Sequence, residues 1–152
     1  MAQPMRRRIL DDIATTVAAI TTGGGYNFSV GECKRGFKHF NNVPEDKFPA
    51  CYVAGADEKS RNSAQRTFTS DVAASIVGYV KQANAADEEA LERDLDNLAQ
   101  DLRKALMVDV TRGGYAVTTE IVEVLTDKGA FAPYAGLEMI VNCEYRASVT
   151  TA

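Results

Sequence analysis

Few residues in this chain have the chemistry of a reactive centre. His39 is the only histidine, so a catalytic triad, an imidazole-ligated metal or any imidazole acid–base step must run through it. Cys33 lies six positions before it, Cys51 twelve after it, and Cys143 far downstream. A zinc site wants paired ligands at short spacing such as C-x2-C, and Cys33, His39, Cys51 and Cys143 lack that pairing. Cys51 and Cys143 fall instead at strand positions that suit small core residues, and His39 falls in a loop. Neither a metal nor a cofactor is expected. The stretch GGGYNF imitates a phosphate cradle, but such cradles lead from a strand into a helix N-terminus, and this one leads from a helix into a predicted strand. RGG at Arg112–Gly114 has no aromatic repeats and reads as a turn before a strand. Glu88, Glu89, Glu92, Asp94, Asp96 and Asp101 are crowded together, yet their spacing avoids a leucine stripe on the same helix and predicts a solvated face rather than a catalytic pair. With the parts of an active site missing, the chain is not expected to be an enzyme.

Basic residues cluster at Arg6–Arg8, at Lys34, Arg35 and Lys38, and at Lys59, Arg61 and Arg66. They would suit nucleic acid or an acidic partner, but no aromatics are interleaved with them, and solvated surface is the expected role. Loop charge of this kind also suits docking between subunits. The net charge of −4 argues against a chain whose main task is wrapping nucleic acid. Arg6–Arg8 imitate the start of a signal peptide, but Asp11 and Asp12 stand where its apolar region would begin, so the start reads as mature sequence. No run approaches the roughly 18–20 apolar residues of a membrane span, and a soluble protein is expected. Three unpaired cysteines suit a reducing compartment.

The chain has 152 residues, 45% of them hydrophobic and 25% charged, the profile of one ordinary globular domain over 1–152. From Pro4 to Thr22, Ile9, Ile13, Val17 and Ile20 share one helical face, and the helix is expected to stop at Gly23–Gly25. Tyr26, Phe28 and Val30 alternate with polar residues and predict a strand over 26–30. Residues 31–48 lack periodicity and read as a long loop. Ala50–Gly55 reads as a short strand, and 56–66 as a polar connection. Thr67–Lys81 predicts a long strand with Phe68, Val72, Ala74, Ile76 and Val80 on its apolar side.

The strongest pattern is Leu91, Leu95, Leu98, Leu102 and Leu106, a helix from about Asp87 to Met107. Asn84 with Asp87 resembles a capping pair, and Arg103 and Lys104 suit the negative C-terminal end. Ordering such a helix costs more than one leucine stripe returns, so it needs a sheet beneath it. Val117–Thr126 and Leu137–Val149 supply two further strands, joined by a segment with breakers at Gly129, Pro133 and Gly136. In that segment Phe131 and Tyr134 either tuck back or protrude. The class is α+β, in the order α-β-β-β-α-β-β: a largely antiparallel sheet of about four to five strands with two helices on one face. The other face carries Val77, Tyr79 and Ile140, with Val122 and Val124 beside them, as either a subunit interface or scattered apolar surface.

In this order, RRRILDDIA, FPACYVAGADEK, RTFTSDVAASIVGYV, DEEALERDLDNLAQDLRKAL, TTEIVEVLTDKG and LEMIVNCEYR resemble the tail terminator proteins of long-tailed bacteriophages. The resemblance covers nearly the whole chain and lies in the order and flavour of segments. It implies a structural virion protein that forms a homo-oligomer, a hexameric ring, which caps the tail tube, stops its polymerisation and joins the head connector. Its partners would be copies of itself, the tail tube protein and a neck or connector protein, with DNA passing through the lumen without specific binding and no membrane involved. Its place would be the head-proximal end of the virion tail, after assembly in the host cytoplasm. Lys59, Arg61 and Arg66 are then expected at neighbouring-ring contacts, and Val77, Tyr79 and Ile140 within the ring, with Phe131 and Tyr134 as further interface candidates. Another head–tail joining protein is the alternative within this class. A small metal-dependent or nucleic-acid-binding domain using His39 and the cysteines is the alternative from another.

Overall fold

A computed structural model describes residues 3–83, 87–128 and 130–149. The chain is α+β, with two helices and a five-stranded, mostly antiparallel sheet in the expected order. The elements are α1 (Met5–Ala18), β1 (Glu32–Arg35), β2 (Ala50–Ala64), β3 (Thr67–Lys81), α2 (Glu88–Val108), β4 (Thr118–Thr126) and β5 (Tyr134–Ser148). Across the sheet the strands run β1-β2-β3-β5-β4. The β1–β2 pair is parallel, and every other pair is antiparallel.

Period decides the core. Ile9, Ile13 and Val17 of α1, Ile20 just beyond it and all five leucines of α2 are buried over one sheet face. Val72, Ala74, Ile76 and Val80 of β3, with Leu137, Met139, Val141 and Cys143 of β5, form the floor beneath them. Gly78 lets α2 approach that floor, since a Cβ there would lie 2.8 Å from Leu98 Cδ2.

Four expectations about boundaries change. First, α1 ends at Ala18, and the glycines serve a separate turn: Thr21 Oγ1 accepts the Gly24 N–H at 3.2 Å, and Gly25 takes φ +91°. Second, 26–30 is not a strand. The Asn27 and Phe28 N–H groups both donate to the Asp101 carboxylate of α2 at 2.9 Å, so the donors a strand would use are spent on a helix side chain. Tyr26, Phe28 and Val30 still rest half-buried against the core. Third, the presumed loop 31–48 holds β1 and two 3-10 turns, Phe40–Asn42 and Glu45–Lys47. Fourth, β2 does not stop at Gly55. It continues to Ala64 and returns through a two-residue turn at Gln65–Arg66, where Arg66 adopts φ 56°, so the expected polar connection is one side of a long hairpin.

The ends of α2 are held differently from expectation. Asn84 lies outside the described residues, and Asp87 caps the helix by accepting the Ala90 N–H at 3.0 Å. At the other end the buried Arg112 takes the role expected of Arg103 and Lys104. Its Nη2 donates to the Leu106 carbonyl at 2.5 Å and to that of Asp109. Lys104 instead reaches the Gly25 carbonyl at 2.9 Å. β5 begins at Tyr134, ahead of the expected Leu137, and the breaker Gly129 is outside the described residues.

Asp101 is the one carboxylate of the expected solvated face that is fully buried, because it lies three residues beyond Leu98, next to the leucine stripe. Replacing it by Ala strands two backbone donors. Asp101→Ala is expected to lower stability by about 2–4 kcal/mol in urea unfolding. A loss below about 0.5 kcal/mol would contradict the anchoring of 26–30 by this residue.

Candidate functional site

The chemically capable residues do not converge. His39 is exposed, accepts the Asn41 N–H at 3.2 Å through Nδ1 and stacks on Phe40 at 4.3 Å, so it acts as a turn cap. Cys33 pairs in register with Cys51 across the parallel strands, whereas Cys143 sits beneath Thr119. Burial pushes the Cys33 thiol up to about 11, with the Glu32 charge adding to it, and raises Cys51 and Cys143 as well. Thiols held protonated are poor nucleophiles and poor metal ligands. Among the described residues, no group of three or more His, Cys, Asp or Glu side chains is placed to hold a metal ion. No helix of the described residues is long and apolar enough to cross a membrane.

The second sheet face is partly covered by the chain itself. The 36–49 excursion folds over it and builds a smaller core from Val43, Ala50, Tyr52 and Tyr79, with Phe40, Phe48 and Val77 packed on it. Tyr79 is therefore only 7% exposed, and its hydroxyl donates to the Lys38 carbonyl at 2.8 Å, which corrects its expected place at an open interface. Val77 and Ile140 are half-buried on this face. Tyr134 tucks in, with its ring 5.0 Å from Phe40 and 5.5 Å from Phe48. Phe131 stands on the rim, 54% exposed yet 5.3 Å from Phe40. Phe40, Val77, Leu125, Phe131 and Leu137 line a shallow cleft of about 330 Å³.

A β-bulge in β4 separates the two expected valines. Ile121 pairs with Val141 and Glu123 with Ile140, leaving Val122 as the extra residue. Val124 consequently turns to the helix-covered face and packs against the main core, which corrects its placement beside Val77. Val122 points out, 63% exposed.

The expected basic clusters are largely neutralised within the chain. Arg6 donates to the Ala56 carbonyl at 2.6 Å and pairs with Glu58, Arg7 pairs with Asp11, and Arg8 stacks over Tyr115. Lys34 and Lys38 share Glu32, while Arg35 holds Asp11 at 2.7 Å. Arg61 lies on the second face between Asp71 at 2.9 Å and Glu144 at 3.4 Å. Lys59 and Arg66 are exposed on the hairpin, and no carboxylate of the described residues forms an ion pair with either. The base of the hairpin is locked by Glu58 Oε2, which accepts the Ser70 and Tyr145 hydroxyls at 2.7 and 2.8 Å.

Two sheet edges remain open. β1 covers β2 only along Ala50–Val53, so β2 has a bare outer edge beyond that point, and β4 is the edge strand on the opposite side. These edges, the cleft and the hairpin are surfaces that another chain could meet. No protein-family model and no curated protein sequence matches the chain.

Glu32 of β1, which pairs with Lys38 of the excursion at 3.4 Å, also accepts the buried Tyr52 hydroxyl of β2. That bond is the main cause holding the Glu32 carboxyl below its ordinary 4.5; partial burial opposes it, and Lys34 and Lys38 assist. A carboxyl depressed in the folded state contributes stability that is present above about 4.5 and lost as the pH falls through the folded value. The urea midpoint is expected to fall on acidification from about pH 5 to about pH 3, and to fall less in Tyr52→Phe. Parallel pH curves for the two proteins would refute this role of Tyr52.

Proposed function

We propose that this chain is a structural subunit of a long-tailed bacteriophage, a tail terminator that forms a ring on the end of the tail tube, stops its growth and offers a joint to the head connector. The observation that carries this reading is the hairpin of β2 and β3. Its β2 side runs polar and exposed from Gly55 to Ala64, beyond the reach of β1. Such a projection is costly to maintain unless something meets it.

The remaining surfaces fit the same role. A ring with rotational symmetry needs two different complementary patches on each subunit. The chain offers open edges on β2 and β4, together with an apolar cleft on one sheet face. The protonated thiols and the separated His39 leave little for an enzyme to use. A net charge of −4 and intrachain neutralisation of most arginines suit a lumen through which DNA slides without being held.

The test is tube growth. Purified protein added to polymerising tail tube protein is expected to give tubes of arrested length bearing a ring at one end in negative-stain images. Rings that bind a connector but leave tube growth unchanged would reassign the chain to another neck protein. Protein that neither assembles nor binds either partner would overturn the reading, and zinc bound to purified protein and lost in His39→Ala would replace it with the metal-domain alternative.

A further inference from the structure

Resting on that assembly reading, we propose that subunits join edge to edge: the free outer edge of β2 over 56–64 pairs with β4 of a second copy in one continuous antiparallel sheet. Three independent observations meet in this pairing.

The first is direction. β2 is antiparallel to β3, β3 to β5 and β5 to β4, so β4 runs opposite to β2. A second copy set beside the first in the same orientation therefore brings its β4 antiparallel to β2, the more stable ladder. The second is length. The stretch 56–64 has the length of the nine-residue β4, and apart from the Ala56 carbonyl held by Arg6 and the irregularities of β2 between Gly55 and Glu58 and between Asn62 and Ala64, its outward backbone groups can meet those of β4.

The third is charge. Charges that merely blunt an edge against aggregation need no particular sign. β4 carries Glu120 and Glu123 and no cation, and neither forms an ion pair with a cation of the described residues, whereas 56–64 of β2 carries both signs, Asp57 and Glu58 beside Lys59 and Arg61. On the second sheet face Lys59 is the exposed cation with no ion pair among the described residues, while Arg61 beside it is already held between Asp71 and Glu144 and would have to be shared. Glu58 is already committed to Arg6.

Register follows from the ladders. Within one chain Lys59 stands level with Asp71, Glu144 and Thr118. Placing Lys59 against Glu123 of the second copy requires a slide equal to the step from Glu144 to Ile140 on β5, about 13 Å at about 3.3 Å per residue. That slide carries the incoming strand past β1, which occupies the edge beside Ala50–Val53. The bulge at Val122 then brings Glu120 opposite Arg61, and Asp57 falls opposite Leu125. A staggered contact repeated around a ring closes when the strands tilt from the ring axis, as they do in any closed sheet.

The test uses the full chain, both free and with tail tube protein, so that subunits assembling only on the tube are also read. Lys59→Glu and Glu123→Lys are each expected to weaken self-association about a hundredfold. The chain carrying both substitutions is expected to recover it. The chain carrying Lys59→Cys and Glu123→Cys is expected to give a ladder of cross-linked oligomers on oxidation, with neither single variant doing so beyond dimer. Oligomers that resist both reversals and yield no ladder would overturn the edge pairing while leaving the terminator reading intact. Wild-type protein that stays monomeric and does not arrest tube growth would overturn both. Unchanged circular dichroism of Lys59→Glu and Glu123→Lys excludes misfolding as the source of lost association.

Discussion

β3 is paired along its entire length on both sides, from Thr67 to Lys81, with β2 on one flank and β5 on the other. This double ladder determines where the rest of the chain can go. Because strand side chains alternate, its register sends Val72, Ala74, Ile76 and Val80 beneath the helices and Asp71, Ala73, Ser75 and Val77 to the other face. A slip of one residue would exchange the two sets, burying an aspartate under α2. The leucine stripe of α2 is complementary to only one of these registers, so helix and sheet select each other. The hairpin depends on the same ladder, since its outer strand has no neighbour other than β3 beyond Val53.

Where apolar residues repeat at a helix or strand period, the sequence was legible. α2 was marked by its leucines, β5 by Leu137, Met139, Val141, Cys143 and Tyr145, and together they gave the class and order of elements. The failures have separate physical origins: a distant polar partner in one case, a backbone ladder in another and a bulge in a third. Tyr26, Phe28 and Val30 alternate like a strand, but Asp101, more than seventy residues away, takes the donors. Residues 56–64 look like a loop because their stabilising ladder lies on β3, and no apolar face announces it. The pairing of Ser60 with Ser70 across the turn is the kind of signal that could have revealed it. Val124 was misplaced because a single bulge inverts the alternation after Val122. Of the residues proposed for contact, Lys59, Arg61 and Arg66 do stand on one projecting element, whereas Tyr79 was claimed by the chain's own excursion.

Arg112 shows how far burial was unreadable from composition. Its fully enclosed guanidinium satisfies two carbonyls at the end of α2, while Nε and Nη1 have no hydrogen-bond partner. Asp12 lies 3.4 Å from Nη1, and burial lifts its carboxyl above the ordinary 3.8 against the pull of Arg112. Removing Asp12 would leave the enclosed Arg112 charge without a carboxylate, so this pair joins α1 to the end of α2 more firmly than an exposed ion pair could.

The bond from Arg6 to the Ala56 carbonyl, with Glu58 tied to Ser70 and Tyr145, has a consequence for how the hairpin meets other molecules. It fastens the root of the projection to α1 and to β5 at the same level. With β5 also paired to β3 as far as Thr67 opposite Ser148, and the Val149 N–H bonded to the Arg66 carbonyl in the turn, the hairpin is stiff along its length rather than a swinging arm. Little freedom is left to surrender when a neighbour engages it, so a contact made mainly of polar backbone can still be tight.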